Sequence, residues 1–189
     1  MHPLDVEDIL KTLTVIVDTR EQPTPQLEMR LAKFPRYERA TLNSGDYSGK
    51  VLIGGNWFNL PVAIERKMNI DELCNCYCQQ RKRFEREFDR ARENGVKMYL
   101  LIEGGNWENI YQGLYKSRMR SKSLVGSILS WLSRYDCQIL MCNRRTSGQL
   151  IWDVLYYEAR TYLLGMVVDE TGQQDSSGAV DRRHRGILT

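Results

Sequence analysis

The sequence predicts an α/β domain with a mixed central sheet flanked by helices. Short β-branched or apolar runs recur at 14–18, 51–53, 96–103 and 137–142. Amphipathic helical stretches alternate with the later runs, at 69–93, 123–135 and 147–164. Gly, Asn and Pro punctuate most of the joints between them.

In order, Leu4 to Leu13 has helical spacing, with Leu4, Ile9, Leu10 and Leu13 apolar. Thr14-Val15-Ile16-Val17-Asp18 reads as a buried strand ending in an acid. Pro23 and Pro25 interrupt the chain, Leu27 to Phe34 predicts a short helix, and Tyr37 to Leu42 a strand. Asn43-Ser44-Gly45 is turn chemistry. Val51 to Ile53, Gly54-Gly55-Asn56, and Trp57 to Leu60 read as strand, turn, strand, continuing through Pro61 to Ile64. Asn69 caps a helix whose first turn carries Asp71 and Glu72, and Asn94-Gly95 stops it. Val96 to Glu103 is a strand closed by Gly104-Gly105-Asn106. Ser123 to Tyr135, Cys137 to Cys142 and Ser147 to Leu164 follow as helix, strand and helix.

The 189 residues suit one domain, 14–167, with an N-terminal helical extension at 1–13 and a disordered tail at 168–189. Hydrophobic residues make up 42%, enough for a sizeable core, and the net charge of +3 permits nucleic-acid binding without demonstrating it. No apolar run of about 18 residues exists and the acidic start lacks a signal-peptide core, so an intracellular protein without a membrane partner is expected. Cys74, Cys76, Cys78, Cys137 and Cys142 are expected as thiols, because no Cys-x-x-Cys pair exists and His2 and His184 lie at the termini.

The chemistry concentrates between 45 and 71. Asp46, in Gly45-Asp46-Tyr47, is followed at a distance by Glu65-Arg66-Lys67. Two carboxylates can hold Mg2+ or Mn2+ through hard oxygen ligands. A lysine can orient the attacking water or stabilise charge on a phosphate, which completes the minimum set for metal-dependent phosphodiester cleavage. On a strand Glu65 and Lys67 face the same side and Arg66 the other, where it braces the fold.

Asp18-Thr19-Arg20-Glu21, Gly45-Asp46 and Glu65-Arg66-Lys67-x(3)-Asp71 together resemble the nuclease domain of the XPF family, structure-specific endonucleases of DNA repair and recombination. Arg83-Phe84 and Arg90 fall where that family has an Arg-rich helix, and Tyr99 to Glu103 is similar to its next strand. The resemblance spans about 14–160 and implies a restriction-endonuclease-like PD-(D/E)xK core, a divalent metal and branched, flap or junction DNA. It implies Asp46, Glu65 and the Arg66 carbonyl as metal ligands, Lys67 at the water or scissile phosphate, and Asp18 as a further carboxylate near the metal. Arg20 and Glu21 would hold the site or touch phosphate, and Asp71 would act as a helix cap or as a partner behind the site. A homodimer is the default partner. The absence of helicase and helix-hairpin-helix regions is similar to small phage nucleases, which would place the chain in a bacterial cytoplasm, or in a nucleus if eukaryotic.

Arg83, Arg86 and Arg90 share one helical face with Glu87, either as a solvated face with internal ion pairs or as a wall of the cleft. Lys116, Arg118, Arg120 and Lys122 form an acid-free segment suited to phosphate. Trp107, Tyr111 and Tyr115 just before it either stack on unpaired bases or pack in the core. The rival readings are a non-catalytic DNA-binding or dimer scaffold of the same fold, and a Holliday-junction resolvase or restriction-type nuclease.

Overall fold

A computed structural model gives the fold of residues 3–172. The elements are α1 (Pro3–Leu10), β1 (Thr14–Asp18), α2 (Pro25–Leu31), β2 (Tyr37–Ala40), β3 (Tyr47–Ile53) and β4 (Asn56–Lys67). Then come α3 (Ile70–Cys78), α4 (Arg81–Glu93), β5 (Lys97–Glu103), α5 (Trp107–Gln112), α6 (Ser121–Tyr135), β6 (Gln138–Cys142) and α7 (Ser147–Gly172). The six strands form one mixed sheet in the order β2-β1-β3-β4-β5-β6. β1 runs parallel to β2 and antiparallel to β3, β3 is antiparallel to β4, and β4, β5 and β6 are parallel.

Helices cover both faces, as an α/β sheet requires. α1, α2 and α7 close one side over Val15, Val17, Val51, Ile64 and Leu101. α3 to α6 close the other, where Trp131 stacks on Phe84 at 4.7 Å and meets Phe88 edge-on at 5.4 Å. The β3–β4 hairpin turns through Gly54 and Gly55, at φ 55° and 83°. Two consecutive positive φ values match the twist of the flanking strands and favour glycine.

Several boundaries differ from expectation, each for a local reason. β4 passes through Pro61 as expected but starts at Asn56 and runs on past Ile64 to Lys67. The β3–β4 register shifts between Ser48 and Lys50, and the β4–β5 ladder begins only at Val62. Pro61 therefore sits where no ladder N–H is required. The single helix expected over 69–93 is two, because its inward stripe would carry Arg81 between Tyr77 and Phe84. Breaking at Gln79 and Gln80 sends Arg81 out to Glu85 at 3.1 Å instead of burying it unpaired. α2 starts two residues early, at Pro25, because Thr24 caps it and proline suits the first turn. α5 is an additional helix, capped by Asn106 and ended by Gly113 in the left-handed conformation.

α7 extends through Gly172, and the tail expected at 168–189 otherwise lies outside the described residues, as do His2 and His184. No helix among the described residues is long and apolar enough to cross a membrane. All five cysteines are free.

Candidate active site

β1 and β4 run in the same direction and finish at the same end of the sheet, on either side of β3, and the turn before β3 joins them. Asp46 N–H donates to the Ile64 carbonyl at 2.8 Å, and Asp18 N–H to the Asp46 carbonyl at 2.9 Å. Gly45 has φ 74°, and a Cβ there would stand 3.0 Å from the Ile64 carbonyl oxygen. Glycine is thus required for the turn to lie flat on β4. That close approach places the Asp46 carboxylate at the end of β4, where its Oδ2 accepts the Arg66 N–H at 2.8 Å.

Asp46, Glu65 and Lys67 share a cleft of about 400 Å3 that Arg20 and Glu87 also line. Glu65 and Lys67 are 4% and 7% exposed. The Lys67 ammonium lies against Glu65 Oε1 and 5.2 Å from the Phe84 ring centre. Burial, reinforced by the Asp46 charge, pushes the Glu65 carboxyl up to about 8. Burial likewise pushes Asp46 up to about 6, against the pull of Lys67 and the Arg66 N–H. For Lys67 burial opposes the charge, but the Glu65 carboxylate outweighs it and holds the ammonium above its usual range. The cleft therefore keeps two carboxyl groups of raised proton affinity beside one buried ammonium.

Behind the cleft Arg66 turns the other way. Its Nη1 donates to Glu103 Oε2 at 3.0 Å, and its Nη2 lies 3.8 Å from Glu21 Oε1. Arg30, 2% exposed, reaches Tyr47 Oη at 2.8 Å, Glu21 Oε2 at 3.0 Å and Glu103 Oε1 at 3.2 Å. Tyr47 Oη donates to Glu21 Oε2 at 3.1 Å. Gly148 permits this: a Cβ there would meet the Arg30 Cα at 2.8 Å.

Asp18 departs from the role that the resemblance implied. It is buried, and both its oxygens are taken within the protein. Oδ1 accepts from Arg20 Nε and backbone N at 2.7 Å, while Oδ2 accepts from Arg20 Nη2 at 2.9 Å and Leu42 N–H at 2.8 Å. Burial opposes its ionisation, but the hydrogen bonds from Arg20 and Leu42 outweigh it and hold the carboxyl below its usual range. Asp18 does not line the cleft; the Arg20 side chain that it holds does.

Asp71 lies in the first turn of α3 and points away from the cleft, accepting the N–H groups of Lys116 and Ser117 at 2.7 Å. Of the α4 arginines, Arg83 lines the cleft, Arg90 Nε donates to the Asn43 carbonyl at 3.1 Å, and Arg86 lines a neighbouring hollow. Trp107 and Tyr115 pack against the core, whereas Tyr111 is exposed.

Glu87, in the sequence only a companion of the arginines, is part of the site. Its Oε1 accepts the Gly45 N–H at 3.1 Å and its charge helps to raise both Asp46 and Glu65. Glu103 could have been suspected as an acid closing an apolar strand, since a buried carboxylate needs a cation. Nothing in the sequence linked Arg30 to it.

Asp46 and Glu65 supply the hard oxygen donors a divalent cation takes. Among the described residues no group of three His, Cys, Asp or Glu side chains is placed to hold a metal ion, so these two acids would leave positions open for a main-chain oxygen, water and substrate.

No curated protein matches the chain in sequence. Among solved structures it is similar to XPF from Aeropyrum pernix, with TM-score 0.54 and 16% identity over 93% of this chain and 69% of that one. It is also similar to the same organism's XPF in complex with DNA, with TM-score 0.52 and 19% identity over 80% of this chain and 66% of that one. These likenesses establish the restriction-endonuclease-like fold. The ERCC4 domain model matches residues 17–151, well over half of the sequence. The chain belongs to the ERCC4 domain family, and its fold is that of an XPF nuclease domain.

Proposed function

We propose that this protein is a divalent-metal-dependent DNA endonuclease that hydrolyses phosphodiester bonds at branched, flap or junction DNA. The convergence of Asp46, Glu65 and Lys67 in one cleft carries this reading. The similar XPF structure determined with DNA supports the substrate class.

Asp46 and Glu65 would hold Mg2+ or Mn2+, with the Arg66 carbonyl as a further oxygen. Their raised proton affinity fits that role, because a cation beside them relieves the repulsion that burial amplifies. When bound, the cation lowers the pKa of a water and neutralises charge on the phosphate. Lys67, kept charged by Glu65, supplies a fixed positive group at the water or the phosphate. Asp18 acts through Arg20, locking its guanidinium at the cleft mouth where a phosphate oxygen can meet it. Arg66, Glu21 and Glu103 keep β4 in register behind the reacting groups.

A non-catalytic scaffold has no use for unbalanced acids facing a cleft, so the enzyme is favoured over it. A resolvase or restriction-type substrate choice would use the same groups. A homodimer belongs to the proposal and is measured by light scattering after size exclusion. The deciding experiment is a cleavage panel of flap, fork, splayed-arm, four-way junction and linear duplex DNA with Mg2+ or Mn2+. Wild type is expected to cut at least one branched substrate faster than the linear duplex. No cutting of any substrate defeats the enzyme reading, and equal cutting of all defeats the structure-specific one.

A further inference from the structure

The cations of this chain fall into two populations. Arg20, Arg30, Arg66 and Lys67 each lie against a carboxylate. Arg81, Arg92, Lys97 and Arg134 do the same on the surface. By contrast Lys82, Arg83 and Arg86 on α4, and Lys116, Arg118 and Arg120 before α6, make no ion pair among the described residues. Lys33, Arg36, Arg39, Arg144 and Arg145 also lack an ion pair, but the densest runs of unneutralised charge are these two segments, far apart in sequence.

The fold joins them. Asp71 in the first turn of α3 holds the backbone of Lys116 and Ser117. At the other end of α3, Cys78 Sγ lies 3.9 Å from Met119 Sδ. The loop after α5 therefore runs the length of α3 and ends at the α3–α4 corner. There a hollow of about 740 Å3 is lined by Arg81, Lys82, Arg83 and Arg86 and by no carboxylate. Gln80 and Arg83 line both this hollow and the cleft, so the two adjoin.

We propose that the two basic segments are one surface, a phosphate track that seats the backbone of the DNA strand as it leaves the cleft. It rests on the nuclease reading of that cleft and adds the path of the substrate: from Arg83, over Lys82 and Arg86, across the Cys78–Met119 seam, to Arg118 and Arg120. Neutralising phosphates with unpaired cations releases counterions, which makes affinity steeply salt-dependent and indifferent to sequence.

The test uses the full chain with labelled fork DNA in chelator, where nothing is cut, and fluorescence anisotropy over a salt series. Lys82→Ala/Arg86→Ala and Lys116→Ala/Arg118→Ala alter side chains alone, leaving the Asp71 backbone contacts in place. Each pair is expected to lower the slope of log affinity against log salt by about 0.9 for every phosphate left without its cation. DNA is expected to slow alkylation of the exposed Cys78 in the wild type. An unchanged slope in either pair, or equal alkylation of Cys78 with and without DNA, overturns the single track. A wild type that binds steeply and protects Cys78 yet cuts nothing with Mg2+ or Mn2+ defeats the nuclease reading and leaves the track standing. Metal-dependent cutting with unaltered slopes defeats the track alone.

Discussion

Strand β4 carries a buried polar cluster on each of its faces. Toward the cleft, Glu65 and Lys67 stand with Asp46, and Glu87 adds a further acid. Toward the back, Arg66, between them in sequence, meets Glu103 and Glu21; Arg30 shares Glu103 and Glu21, and Tyr47 shares Glu21. The back cluster sets two guanidiniums against two carboxylates, with Tyr47 bridging. The front sets its acids against one buried ammonium, with Arg20 and Arg83 on its walls; burial raises both Asp46 and Glu65, helped by Asp46 and Glu87 at Glu65 and by Glu21 and Glu87 at Asp46. Balance marks a scaffold, since removing any member strands a buried charge. Imbalance marks a place that takes up positive charge from outside.

The largest way to break this contrast is at the front. Asp46→Asn or Glu65→Gln is expected to reduce Mg2+-dependent cleavage by about a thousandfold or more, on the scale of losing a transition-state group. DNA binding in chelator should persist. Cleavage of flap and fork DNA at the wild-type rate by both variants sinks the site assignment.

At the back the expected loss is stability. Glu103→Ala leaves Arg30 and Arg66 short of a partner inside the protein, which costs about 3–5 kcal/mol. Denaturant unfolding measures it. Glu65→Gln should cost far less, or stabilise the metal-free protein, and an equal loss in both variants would erase the distinction.

Next in size is a pH effect confined to the front. A carboxyl raised by folding binds its proton more tightly folded than unfolded. Its contribution is full below the ordinary carboxylate range and is lost as pH rises, here toward about 6 for Asp46 and about 8 for Glu65. The melting temperature in chelator should therefore fall across that window, and added Mn2+ should restore it most at the upper end. Glu65→Gln should flatten the fall without metal. Asp18, held low by Arg20, has the opposite sign: its contribution exists above the ordinary range and is lost on acidification. A melting temperature independent of pH from about 5 to about 8 contradicts the imbalance.

The smallest effect separates charge from position at Glu87. Glu87→Gln keeps an acceptor for the Gly45 N–H, whereas Glu87→Ala removes it at a cost of about 1 kcal/mol. Amide exchange at Gly45 should speed up in the alanine variant and stay slow in the glutamine variant. Equal exchange in both would show that α4 does not hold the turn.

The sequence by itself determined the α/β class, the Asp46 and Glu65-x-Lys67 arrangement and its family, because strand periodicity, turn glycines and a spaced motif are local properties of the chain. It also predicted that Arg66 would face away from Glu65 and Lys67, since alternation along a strand is fixed by backbone geometry. Only the tertiary structure decided that Asp18 serves Arg20, that Asp71 holds the basic loop, and that Glu87 clasps the Gly45 turn. It alone brought Arg30 to Glu103 and the two basic segments to one corner. Those outcomes depend on which residues meet across helices and strands remote in sequence, and a side chain's type does not record its partner.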